Sequence, residues 1–331
     1  MNARRLIPTA TLAGAVTLGL VALSACSSSD AATDTKNGGA LAVTASFYPM
    51  QFLAERIGGD HVSVSTLTKP GVEPHDLELT PRQAAQLGES DVILYLKGIQ
   101  PAVDEAITQS GVKNTVDAAS LTTLEKHGTE VGHSHEDGHA DDHAAEESHS
   151  AGEEDALAGK DPHIWLDPVK YAEVAKGVGA SLEKADPDNS AAYRKNTDAL
   201  VKELGGLDTA FKQGLADTTT RTFITTHSAF GYLAERYGLT QEGIAGLDPE
   251  SEPSPARMKE LKTIAEHEKV GTVFFETLAS DKTAKTVAAD SGLKTDVLDP
   301  LEGITDKSKG DDYIEVMNAN LTALRTALGA K

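Results

Sequence analysis

From residue 41 onward, apolar residues follow two alternating rhythms: short runs that alternate or are unbroken, and longer runs at spacings of three and four. The first rhythm predicts strands and the second predicts helices. LAVTASF at 41–47 reads as a strand, and PMQFLAERIGG at 49–59 as a helix closed by Gly58 and Gly59. HVSVSTL at 61–67 alternates as a strand and runs into the loop KPGVEPHDLELTP. A helix at 81–90, a buried strand at 91–98 and a helix at 101–110 complete this series. Two further helical stretches, 169–184 and 189–215, are separated by Asp186, Pro187 and Asp188. A second series then begins with the strand TFITT at 222–226, continues with helices at 228–238, 254–269 and 282–291 and strands near 239–246, 271–276 and 293–300, and closes with a helix at 311–328. Ser254 followed by Pro255 is a helix start, a capping side chain and then a first-turn proline. The alternation predicts an α/β fold with two similar lobes, each a mostly parallel sheet flanked by helices. No internal repeat is legible in the residues themselves.

Two stretches break the rhythm. At the start, Arg4 and Arg5 precede an apolar run that ends at Leu23-Ser24-Ala25-Cys26, the order of an export signal. A permanent membrane helix is the competing reading, but Pro8 and the small residues at the end of the run suit processing better than spanning. Cys26 is the single cysteine of the chain, which excludes an intramolecular disulfide, and SSSDAATDTKNGG after it reads as a flexible tether. The second break is 128–155, where Glu130, Glu136, Asp137, Asp141, Asp142, Glu146, Glu147, Glu153, Glu154 and Asp155 occur without a lysine or arginine. Such a segment has almost nothing to bury and is expected to stay disordered without ligand.

The formal net charge of −21 argues against nucleic acid as a partner, because phosphate recognition needs clustered Lys and Arg, and it favours a cationic ligand. The histidines are distributed informatively. His127, His133, His135, His139, His143 and His149 lie in or beside the acidic segment, where imidazoles and carboxylates together suit weak, fast-exchanging metal binding. His75, His163 and His227 instead fall at junctions where strands end, the usual place for ligands in α/β sheets. His75 sits in a loop stiffened by two prolines, His163 is framed by two Asp-Pro pairs beside the single Trp, and His227 follows TFITT. Each alone fits a hydrogen-bonded cap as well as a ligand; three in similar settings favour a site. Zinc takes neutral imidazole and carboxylate in tetrahedral geometry, so a fourth ligand is wanted. Glu302, just past the last predicted strand, is the first choice, with Asp299, Glu276 and water as alternatives.

The ordered set of LSAC, P-H-D after a GVEP loop, the His/acidic insertion, DPHIWLDP, THSAFGYL and DPLEG resembles the zinc-specific solute-binding lipoproteins of bacterial ABC importers, the ZnuA type of the metal-binding cluster A-I family. The resemblance covers nearly the whole chain after Cys26. It implies two α/β lobes joined by one long rigid helix, with one transported Zn²⁺ held in the cleft by His75, His163, His227 and Glu302. It also implies cleavage before Cys26, acylation of that cysteine, residence at the extracytoplasmic face of the membrane, and delivery of the ion as a monomer to a permease. The expected organisation is a signal peptide at 1–25, anchor and tether at 26–39, a first lobe at 40–166 containing the loop 127–158, a linking helix at 167–186 and a second lobe at 187–331. The competing classes are an extracytoplasmic zinc hydrolase and a zinc-containing surface adhesin. Against the hydrolase, the chain has no H-E-x-x-H pair and no G-x-S-x-G elbow. An adhesin would be distinguished by metal retained on partner contact and no uptake defect on loss of the gene.

Overall fold

The structure, a computed structural model, describes residues 39–128 and 159–331. The expected signal segment, Cys26, most of the tether, and His133, His135, His139, His143 and His149 lie outside the described residues. No described helix is long and apolar enough to cross a membrane.

The first lobe runs β1 (Leu41–Ala45), α1 (Tyr48–Gly58), β2 (Val62–Thr66), α2 (Pro81–Gly88), β3 (Val92–Tyr95), α3 (Pro101–Ser110) and β4 (Thr115–Asp117). Its strands pair in the order β2-β1-β3-β4, all parallel. β4 has no counterpart in the sequence reading: three half-exposed residues at a sheet edge are too few to show a period. α1 begins with a proline in its first turn and buries Met50, Phe52, Leu53, Ala54 and Ile57 at helical spacing. Two glycines end it for a packing reason. A Cβ at Gly58 would lie 2.2 Å from a Val62 methyl, and Gly59 adopts φ +54.

Next come α4 (Pro168–Ala185) and α5 (Ser190–Gly214), which pack along each other. The second lobe follows with β5 (Thr222–Thr225), α6 (Gly231–Tyr237), β6 (Thr240–Gly243), α7 (Pro255–His267), β7 (Thr272–Phe275), α8 (Lys282–Ser291), β8 (Lys294–Val297) and α9 (Tyr313–Ala327). Its parallel order, β6-β5-β7-β8, repeats that of the first lobe. A helix stands where the linking helix is expected at 167–186, as α4. α4 packs on α1 and β3 of the first lobe and touches α6 and α9 of the second through Asp167–Arg236 and Tyr171–Tyr313, while α5 reaches α1 and α9. Both helices carry apolar stripes and both touch the two lobes.

The junction between the lobes is aromatic. Phe47, Trp165, Tyr171 and Tyr313 are fully buried there, with Phe47 edge-on to Trp165 at 5.1 Å and Tyr171 against Tyr313 at 4.6 Å. Each such side chain stabilises the fold by about 1.5–3 kcal/mol on burial. Trp165 Nε1 also donates to the Pro300 carbonyl at 2.7 Å, and Arg236 of α6 pairs with Asp167, the residue that caps α4. These contacts fix the strand ends of one lobe against those of the other.

Candidate metal centre

In each sheet the chain leaves the first strand for one neighbour and then crosses back to the other side, so loops diverge at the carboxyl ends of β1 and β5. The described part of the pocket is built from loops at these ends. His75 lies in the loop after β2, and His163 follows the segment that leaves β4 and precedes the turn Ile164–Leu166. His227 follows β5, where its carbonyl accepts from Thr225 Oγ1 at 2.7 Å and Gln241 Nε2 at 3.0 Å. Glu302 follows β8. Leu301 before it has φ +59, a left-handed conformation that costs a residue with a Cβ about 1–2 kcal/mol. Burial of the Leu301 side chain and a 2.8 Å bond from its N–H to Asp299 Oδ1 hold that turn, which aims Glu302 inward.

The four side chains converge. Nε2 of His75, His163 and His227 lies 3.4, 3.3 and 3.3 Å from Glu302 Oε1. All four ligand atoms fall within 4.8 Å of one another, and the ring centroids of the histidines are 5.4 to 6.1 Å apart. A tetrahedral shell with bonds of about 2.0–2.1 Å has edges of about 3.3–3.4 Å, so the three nitrogen–oxygen separations have the dimensions of such a shell. None of the three Nε2 atoms, nor either oxygen of Glu302, has a hydrogen-bond partner, although all are buried. Leaving a buried polar atom unpaired costs about 1–3 kcal/mol, and five together are accounted for by a ligand that takes their lone pairs.

Carboxylates behind two of the rings set their orientation. Asp161 Oδ1 faces His163 Nδ1 at 2.7 Å and also accepts from the His163 backbone N–H at 2.9 Å. Glu276 Oε1 faces His227 Nδ1 at 2.8 Å and accepts from Thr226 Oγ1. With Nδ1–H donating backward, Nε2 presents its lone pair to the pocket, the arrangement that metal-ligating histidines use. Glu276 and Asp299, the alternative fourth ligands, are engaged elsewhere. Glu276 serves His227, and Asp299 accepts from Leu301 N, Thr277 Oγ1 and Ser308 Oγ.

Burial would raise the Glu302 carboxyl, but the imidazoles of His227, His163 and His75 hold it well below its usual range. Burial would lower both His163 and His227, yet Asp161 and Glu302 raise the first, and Glu276 and Glu302 raise the second well above its ordinary value. Glu73, which accepts from His75 N at 3.2 Å, is pushed up to about 9 by burial and by the charge of Glu302, so it is neutral near pH 7.

Of the residues named from sequence, His75, His163, His227 and Glu302 come together. His127 lies apart from them, behind Asp161, whose Oδ2 faces His127 Nδ1 at 3.0 Å. The role of Asp161 was missed by sequence reasoning, although its position two residues before a candidate ligand was a usable signal.

The family model described as "Zinc-uptake complex component A periplasmic" matches residues 43–327. The high-affinity zinc uptake system protein ZnuA of Bacillus subtilis is 37% identical over 318 residues, covering 94% of this chain and 95% of that protein. The zinc-binding lipoprotein AdcA of Streptococcus pneumoniae is 34% identical over 302 residues, covering 87% of this chain but 56% of its own length, so this chain spans about half of it. Among solved structures, the Zn(II)-bound ZnuA-like domain of Streptococcus pneumoniae AdcA superposes with a TM-score of 0.70 at 31% identity, covering 88% of this chain and 99% of that one.

Proposed function

The chain belongs to the periplasmic zinc-uptake complex component A family, and on that premise we propose that it captures one Zn²⁺ on His75, His163, His227 and Glu302 and hands it to the permease of an ABC importer. The observation that carries this reading is the set of buried, unpartnered Nε2 and carboxylate atoms at tetrahedral edge distances. Three nitrogens and one oxygen favour zinc over harder divalent ions.

Four protein ligands close the shell and leave no coordination position for a reacting water, which favours carriage over hydrolysis. His75 and His163 come from the first lobe, His227 and Glu302 from the second, so parting the lobes would dismantle the shell. The helices α4 and α5 and the aromatic junction resist wide opening. Release therefore goes with a modest displacement imposed by docking on the permease. Cleavage before Cys26 and acylation of that cysteine would keep the protein, as a monomer, at the extracytoplasmic face of the membrane beside its permease.

Competition with a chromophoric zinc chelator tests the reading. Wild type should hold one equivalent tightly, and His163→Ala and His227→Ala should each lose about 3 kcal/mol, about a quarter of what a four-ligand zinc site supplies, or about a hundredfold in affinity. Tight binding that survives both substitutions would remove the pocket from the function.

A further inference from the structure

The carboxylates beside the imidazoles form a group of their own. One oxygen from each of Glu73, Glu276 and Glu302 lies within 4.8 Å of the other two. Glu73 belongs to the His75 loop of the first lobe, whereas Glu276 and Glu302 follow β7 and β8 of the second, so the group bridges the lobes.

In each residue Oε1 already serves the zinc shell. Glu73 Oε1 accepts from His75 N at 3.2 Å, Glu276 Oε1 faces His227 Nδ1 at 2.8 Å, and Glu302 Oε1 faces the three Nε2 atoms. Oε2 of all three is buried and has no hydrogen-bond partner. Glu276 is 4% exposed and Glu302 0%, so bulk water does not supply the missing partners. Among the described residues, the charged partners of Glu276 and Glu302 are histidines alone, and Glu73 has none. Carboxylates this close repel, and burial strengthens the repulsion, so the group calls for positive charge among its oxygens. The spacing suits an ion: oxygens bound to one hard cation at about 2.3–2.6 Å stand no more than about 5 Å apart.

We propose that Glu73, Glu276 and Glu302 form an oxygen-only position for a hard divalent cation of the Ca²⁺, Mg²⁺ and Mn²⁺ class, which occupies the pocket when zinc is absent and is expelled when zinc takes the imidazoles. The donor set fixes the class, because carboxylate and water suit hard ions whereas imidazole suits zinc. Expulsion follows from Glu302, which both positions use, and from the repulsion of two dications within one buried pocket. The pocket then sorts ions by place as well as by affinity: a hard ion meets no nitrogen, and zinc displaces it without competing for the same donor atoms except at Glu302. The competition rests on the reading given above; the carboxylate position does not.

Crystals of the full chain grown without zinc and equilibrated with Mn²⁺, measured on both sides of the manganese absorption edge, test the position. An anomalous peak is expected among the carboxylates of Glu73, Glu276 and Glu302 and clear of the three Nε2 atoms. Glu73→Gln should lose that peak, and a zinc peak in Glu73→Gln crystals equilibrated with Zn²⁺ shows that the variant folds. A manganese peak bonded to the imidazoles, no manganese peak at all, or a carboxylate peak that survives Glu73→Gln would each overturn the position. In solution, bound Mn²⁺ loses the sharp electron paramagnetic resonance lines of the free ion. Glu73→Gln should hold Mn²⁺ at least about tenfold more weakly, since losing even an outer carboxylate costs that much; equal affinity would again remove the position. Added Zn²⁺ should release one more equivalent of Mn²⁺ from wild type than from Glu73→Gln, and equal release would overturn the competition. Zinc that binds wild type without reaching the imidazoles would sink both the transport reading and the competition, while a manganese peak among the carboxylates would still stand.

Discussion

Replacing Glu276 with glutamine isolates the contribution of one charge behind a ligand. Glu276 Oε1 lies 2.8 Å from His227 Nδ1, and the two side chains are 2% and 1% exposed, so solvent screens the pair little. In Glu276→Gln the amide oxygen can still accept the Nδ1 proton, so ring orientation and tautomer are kept and only the negative charge is removed. A hydrogen bond to a charged acceptor contributes about 1.5–3 kcal/mol against about 0.5–1.5 for a neutral one, a difference of about 1–1.5 kcal/mol. That corresponds to about tenfold weaker zinc binding. Glu302→Gln removes the anionic group whose Oε1 faces all three Nε2 atoms and should cost more, about a hundredfold or above. Chelator competition on wild type and both variants at one pH gives the three constants. If Glu276→Gln costs as much as Glu302→Gln, the roles of the two carboxylates are misassigned. If it costs nothing, the carboxylate behind His227 does not tune the ligand.

Further outcomes follow from the same geometry. In the ion-free fold, His163 and His227 titrate above 6.5, since Asp161, Glu276 and Glu302 outweigh the lowering effect of burial. Zinc must then displace protons already bound near neutrality, so affinity should fall as pH falls, with the decline starting above 6.5. Calorimetry in buffers of different ionisation enthalpy measures the released protons, and none released at pH 7 would contradict the assignment. Excising 129–158 should leave the tight equivalent intact and remove only additional weak ones; loss of tight binding would make that segment part of the primary shell. Lys269 is exposed just past the end of α7 with φ +58, so Lys269→Gly should relieve Cβ strain of about 1–2 kcal/mol, offset by about 0.5–1 kcal/mol of added chain entropy, and raise Tm by about 1–3 °C, and a fall on thermal unfolding would contradict this.

Sequence alone determined most of the elements. A helix or strand is a local period, and Pro101–Ser110 and Lys282–Ser291 form where spacing and end residues place them. It also put His75, His163 and His227 at strand ends, because proline frames and strand–loop junctions are local as well. The tertiary structure decided everything that depends on which segments become neighbours. β4 exists because β3 offers it an edge, and the two lobes share one strand order with no legible repeat, since topology constrains burial rather than residue identity. That α4 and α5 both touch the two lobes is decided by which faces find α1, α6 and α9. Glu302 is already the first choice from sequence; what the fold adds is that both of its oxygens lack a partner while Glu276 Oε1 faces His227 and Asp299 is engaged by Leu301, a comparison across chain separations that no spacing encodes. His127 shows the limit most clearly: in sequence it belongs with the histidines of the acidic segment, and in the fold it shares Asp161 with His163, because packing of α6 at Gly231 brings the three together.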